Sequence, residues 1–271
     1  MKSILLHIAH DAAMPARLQA ALDLARAGKG HITCVQAISY EVFAPGDFYG
    51  SAMAAAMPVI KDAAEKLRAE IETALGREDV AWDWRFVYGT AENRLLEHAA
   101  LADIVIVGPQ DAGEKGGGPS ALVGALALKA PAPVLVVPGD CKGLDVSAPV
   151  LIGWNGSAEA CVALRRAVPV LAHASTVYLA AVAEERDKGR FDFPPLDGAQ
   201  YLSRHGIAAE IIEIPRGEGR ISDTLFAAAK ARGCGLMVMG AYGHSRFAEM
   251  LLGGVTRHAL TDPQLPIVLA H

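Results

Sequence analysis

Four glycines near the C-terminal end of the chain, Gly240, Gly243, Gly253 and Gly254, punctuate the run MGAYGHSRFAEMLLGGVTRHAL. This spacing can bring two backbone loops together with no Cβ in the way. The second pair opens a helical stretch, where unpaired N–H groups and the positive end of a helix dipole suit an anion, phosphate above all. Successive N–H groups in the first turn would form a nest for the same guest. Ser245 and Thr256 could add hydroxyl donors. The glycines could equally cap elements, with Gly240 ending a strand and Gly253 ending a helix over residues 246–252. Spacing alone leaves both readings open.

Other residues invite chemistry less strongly. His7 and His10, in HIAH, could stabilise charge on a transferring phosphate, as in adenylyl transfer. No glycine lies between them and no lysine-rich loop follows, so a strand-face His7 and a turn His10 are the expected roles. His244 and Arg246 read either as contacts to a triphosphate tail or as a solvated helix start. Trp154 reads as a base-stacking ring or as a side chain buried against a helix. Gly116, Gly117 and Gly118 are not followed by Gly-Lys-Ser/Thr, so they form no Walker A loop. The sequence has no GxSxG elbow and no HExxH. No general base presents itself, which limits any catalysis to slow hydrolysis.

The elements that must position these residues come from a repeat. SILLHIAHDAAMPARLQAALDLARAGKGHITCVQAI has a counterpart in PVLIGWNGSAEACVALRRAVPVLAHASTVYLAAVAE. Each is an apolar run, a turn, an amphipathic helix and a second apolar run. The correspondence continues to the proline-led strands APVLVVP and LPIVLAH. The chain therefore divides into residues 1–138 and 149–271, joined through PGDCKGLDVSAP. Unbroken apolar strands alternating with helical patterns predict an α/β fold of two tandem doubly wound parallel five-stranded sheets with helices on both faces. Strands are expected over 150–154, 177–182, 210–214, 236–239 and 267–270 in the second unit. Ligands bind at the carboxyl ends of such strands, and the glycine run leaves one of them. Residues 39–60 break the pattern and read as a lid, a subunit contact or a long loop.

The 271 residues are 52% hydrophobic with a net charge of −5, which disfavours a duplex nucleic-acid partner. Four cysteines, Cys34, Cys141, Cys161 and Cys234, lack metal or CxxC spacing and read as reduced, mostly buried thiols. No apolar run reaches the roughly 20 residues of a membrane span. A cytoplasmic protein with small-molecule or protein partners is expected.

The second unit resembles the universal stress protein family, whose nucleotide-binding members carry G-x2-G-x9-G-(S/T). The order of strands and helices is similar in both units. The resemblance implies an adenine nucleotide, ATP with or without Mg2+, and a stress-response or regulatory role. Its phosphates and ribose would meet Gly240, Gly243, Gly253 and Gly254, with Val255 and Thr256 opening the helix. Met239 would lie near the nucleoside. Asn155, beside Trp154, stands where the family has Asp, keeping a carbonyl acceptor without the charge. Ala181 and Val182 would line the adenine pocket. Gly254 stands where the family prefers Ser or Thr. In the first unit Ala9 replaces the family's Asp, Asp111 stands where a second glycine is due and Ser120 aligns with Gly253, implying one competent site and one degenerate partner. In this family the final strand commonly mediates pairing, so the two units would pair within the chain or two chains would form a homodimer. A scaffold with decayed sites is the alternative reading.

Overall fold

A computed structural model describes residues 1–38, 48–110, 120–182, 193–215, 217–241 and 254–271. The first half contains β1 (Ser3–Ile8), α1 (Met14–Gly28), β2 (His31–Ile38), α2 (Phe48–Leu75), β3 (Ala81–Tyr88), α3 (Ala91–His98), β4 (Ile104–Val107), α4 (Ala121–Lys129) and β5 (Val134–Val136). The second contains β6 (Val150–Trp154), α5 (Ala158–Leu171), β7 (Val177–Val182), α6 (Pro195–Arg204), β8 (Ala209–Ile214), α7 (Ile221–Ala231), β9 (Leu236–Gly240), α8 (Gly254–Thr261) and β10 (Ile267–Ala270). The strands expected in the second half all form, within a residue of their expected ends. The stretch over 39–60 is not all loop, because α2 begins at Phe48; residues 39–47 lie outside the described set.

Each half contributes five parallel strands, and the two sheets are continuous. The ten strands run in the order β3-β2-β1-β4-β5-β10-β9-β6-β7-β8. Only the central pair is antiparallel, with Leu135 opposite Val268 and Val136 opposite Ile267. The pairing between halves is therefore made inside the chain by β5 and β10. It also reverses strand direction, so the carboxyl ends of the two sets of strands lie at opposite edges of the sheet.

The inner strands β1, β4, β5, β6, β9 and β10 are mostly apolar and buried on both faces, as parallel sheets require, whereas the edge strands β3 and β8 carry charged residues and stay partly exposed. One face carries α1, α2, α5 and α6, which pack on Ile4, Leu6, Ile152, Val238 and Val268. The other carries α3, α4, α7 and α8, which pack on Leu5, Val105, Leu151, Met237 and Leu269. The connection between the halves is also packed: Leu144 is buried, and its N–H donates to Asp23 Oδ2 on α1 at 2.8 Å.

Leu135 is fully buried on the seam, so Leu135→Ala should cost about 2–5 kcal/mol through lost contacts and a residual cavity. Urea denaturation followed by circular dichroism should show one transition with a lowered midpoint. Two separated transitions would mean that the halves do not unfold together.

Candidate functional site

The carboxyl ends of β6, β7 and β9 open into a cleft of about 180 Å3. Strand alternation decides which side chains reach its floor. On β7, Ala180 and Val182 line it, whereas Ala181 between them does not. On β6, Gly153 faces the same layer; a Cβ there would lie 3.4 Å from Leu225 Cδ1 and 3.7 Å from Met239 Cγ. Met239 and Gly240 supply the third strand, and Ile221 and Leu225 of α7 close one side.

The walls are helix N-termini. Ser157 and Glu159 stand at the start of α5, Ile221 opens α7, and Gly254, Val255 and Thr256 open α8. At α5 the turn is held locally. Gly156 has φ 75°, a left-handed conformation that glycine adopts without strain. Asn155 Oδ1 accepts from Ser157 N at 3.2 Å, and Ser157 Oγ accepts from Ala160 N at 3.2 Å, an Asx turn running into an N-cap. The acceptor expected of Asn155 is thus engaged in the turn.

Gly240 has a packing reason to be glycine. A Cβ there would come within 2.7 Å of Glu159 C and 2.8 Å of Ala160 N, so α5 sits directly on the end of β9. Thr256 is buried and its hydroxyl donates to the Gly240 carbonyl at 3.2 Å, tying α8 to the same strand end. Among the described residues nothing lies within 4 Å of where a Cβ on Gly254 would stand.

Of the residues expected at the site, Trp154, Asn155, Val182, Met239, Gly240, Gly254, Val255 and Thr256 line this one cleft. Gly243, Gly253, Ser245, His244, Arg246 and the spacer helix at 246–252 lie outside the described residues. The Trp154 indole is committed elsewhere: it is 4% exposed, packs on Gly198 of α6, and donates from Nε1 to Phe193 O at 2.9 Å. Burial rather than base stacking accounts for that ring. Sequence reasoning missed Gly153, Ala180, Ser157, Glu159, Ile221 and Leu225. Period-two alternation along β6 and β7 was the available signal for the first two.

The corresponding region of the first half is filled by its own side chains. Leu6 pairs with Ile106 as Ile152 pairs with Val238, so His7 stands where Gly153 stands. His7 is level with Val35, as Gly153 is level with Ala180. A glycine–alanine floor in one half is a histidine–valine floor in the other. The α1 helix begins later in register than α5, and the fully buried Arg17 reaches back over Gly108. Its Nη1 and Nη2 donate to Asp11 Oδ1 and Oδ2, both at 2.8 Å, and Nη1 lies 2.4 Å from where a Gly108 Cβ would stand. Ser120 caps α4 by accepting from Val123 N at 3.1 Å. His10 is exposed in the turn, so the two histidines do not form a paired centre. Residues 111–119, which include Asp111 and the three glycines, lie outside the described set.

The four cysteines are free thiols, and only Cys34 is fully buried, so the expectation of mostly buried thiols holds for that one. Burial pushes the Cys34 thiol up to about 12. Among the described residues no cluster of His, Cys, Asp or Glu is placed to hold a metal ion, and no helix is long and apolar enough to cross a membrane.

An α/β sheet doubled end to end, with a cleft at the carboxyl strand ends of one half, is the class defined by this geometry. Residues 148–271, the second half of the chain, match the universal stress protein family. The fold as a whole is similar to a universal stress protein from Archaeoglobus fulgidus DSM 4304. That likeness has a TM-score of 0.66 at 15% identity and covers 99% of this chain and 96% of that one. A functionally unknown protein from Pseudomonas aeruginosa PAO1 is similar at TM-score 0.59 and 16% identity, covering 100% of this chain and 92% of that one. No curated protein matches the sequence.

Burial, with the Arg17 guanidinium nearby, pulls the His7 imidazole down to about 4, against the opposing pull of Asp11. The folded chain then binds fewer protons than the unfolded chain below the ordinary histidine pKa of about 6.5. Stability from this group is complete above that pH and is lost as pH falls toward 4, by about 2 kcal/mol at pH 4.5. Urea unfolding at pH 7 and 4.5 should show a smaller acid loss for His7→Gln than for wild type. Equal losses would sink the assignment.

Proposed function

We propose that the chain binds an adenine nucleotide, ATP with or without Mg2+, in the cleft of its second half, and that occupancy of that cleft is its signal in a stress-response or regulatory role. The observation that carries this reading is the convergence of a small apolar floor, Gly153 and Ala180, with the N-termini of α5, α7 and α8. The floor suits a flat base. The three helix ends favour negative charge, and the first-turn N–H groups of α7 have no side-chain cap, leaving donors for an anion. Met239, Gly240, Gly254, Val255 and Thr256 would meet the nucleotide by backbone and apolar contact, with Gly243 and Gly253 completing the motif. The first half takes no nucleotide in this reading, because His7 and Arg17 stand in the way, so binding is one per chain.

The second reading, a nucleotide-independent scaffold working in the cytoplasm through protein contacts, draws on the internal seam and on the self-filled first half. Association of two chains edge to edge would use β3 or β8, since β5 and β10 are paired with each other.

The test transplants the first half's residue into the second. Gly153→His adds a Cβ that meets nothing closer than 3.4 Å, so the fold should tolerate it while the imidazole takes the place of the base. Isothermal titration with ATP and Mg2+ should show binding to wild type and roughly a hundred-fold loss or more in the variant, the scale of several apolar contacts and a hydrogen bond. The Tm should stay within a few degrees. A wild-type protein silent at millimolar nucleotide would favour the scaffold. In the opposite direction, Gly254→Ser places a hydroxyl in open space at the start of α8. It should tighten ATP binding by about three- to ten-fold, the worth of one hydrogen bond.

A further inference from the structure

Resting on the nucleotide reading of the cleft, one feature of its walls bears on what the site selects. Among the described residues lining the cleft, Glu159 is the one charged side chain. Asn155, Ser157 and Thr256 are the polar ones, and each already serves the chain: Asn155 Oδ1 on Ser157 N, Ser157 Oγ on Ala160 N, Thr256 Oγ1 on Gly240 O. The carboxylate of Glu159 has no such engagement and no ion-pair partner among the described residues. Nor is its position loose. Glu159 Cβ lies 3.0 Å from where a Cβ on Gly240 would stand, so the residue is held at the wall by the close approach of α5 to β9.

An acid in the first turn of a helix is favoured by the helix dipole, and that would account for Glu159 on an outer face. Here the same residue lines a concave site, where its charge acts on any guest. The N-termini of α5, α7 and α8 draw an anion in, whereas an unpaired carboxylate at the wall opposes it. A neutral nucleoside feels neither effect strongly, and a polyphosphate chelated by a divalent cation presents less charge than the free one.

We propose that Glu159 is a specificity-determining residue, a charge filter that disfavours free nucleoside polyphosphates relative to the nucleoside and to the divalent-cation complex. Glu159→Gln removes the charge and keeps the backbone and Cβ that pack on Gly240. Isothermal titration of both proteins with adenosine, with ATP in EDTA and with ATP in excess Mg2+ reads the filter directly, at low salt where charge is least screened. The ratio of adenosine affinity to free-ATP affinity should fall in Glu159→Gln by roughly five-fold or more. The advantage that Mg2+ gives ATP should shrink with it, and both differences should narrow at high salt. A ratio that stays the same or rises overturns the filter and leaves the nucleotide site standing. A merely structural acid would lower the Tm of the variant and leave the ratio alone. Absence of all three ligands from both proteins overturns the nucleotide reading, and the filter with it.

Discussion

The antiparallel contact between β5 and β10 is the constraint on which the rest of the molecule depends. Each half is a parallel sheet whose last strand would otherwise be an edge with unpaired N–H and C=O groups. Val134, Leu135 and Val136 meet Ile267, Val268 and Leu269 there, all of them buried, so the seam is as apolar as the interior of either half. Its direction has a larger consequence than its stability. Because β10 runs against β5 while every other neighbour pair is parallel, the carboxyl ends of the two strand sets point to opposite edges of the sheet. A cleft at one edge must then be built by one half alone. Whatever the second half holds, it holds without side chains from the carboxyl strand ends of the first.

That separation lets the two halves diverge at equivalent positions. The difference is a matter of volume and charge on one layer. Gly153 and Ala180 leave space; His7 and Val35, at the same register, occupy it. Beside them, the shorter start of α1 leaves a notch over Gly108 that Arg17 fills, fixed by two 2.8 Å hydrogen bonds to Asp11. Burying a guanidinium is costly unless it is paired in good geometry, and the bidentate contact supplies that geometry.

Much of this was legible in the sequence. Buried parallel strands are continuous apolar runs, which is why VLIGW, VYLAAV and IVLA gave strand ends that match the structure. The repeat gave the matched halves, because both use the same β-turn-α punctuation. Side-chain direction was less accessible: Ala181 and Val182 are adjacent in sequence but face opposite sides, and alternation pairs Ala180 with Val182 without saying that this pair, rather than Ala181, reaches the cleft. The seam's direction could not be read from APVLVVP and LPIVLAH, since parallel and antiparallel edges use the same apolar residues. The engagement of Asn155 Oδ1 and Thr256 Oγ1 within the chain was equally hidden, because spacing identifies a polar group without saying which neighbour has already taken it. Glu159 was passed over for a related reason: a glutamate in the first turn of an amphipathic helix has an ordinary role, and its place in the cleft follows only from the tight packing at Gly240.

The rigidity of that packing bears on how the cleft can work. Phe193 clasps the β6–α5 turn from both sides, donating its N–H to Gly156 O at 3.1 Å and accepting at its carbonyl from Trp154 Nε1 at 2.9 Å. Thr256 ties α8 to the end of β9, and Glu159 and Ala160 rest on Gly240. The floor and two of the three helix ends are thus held by the chain's own contacts, so a ligand bound there would not have to order them. The same clasp joins the β6–α5 turn to the start of α6, where the side chains of Phe193 and Leu196 are exposed.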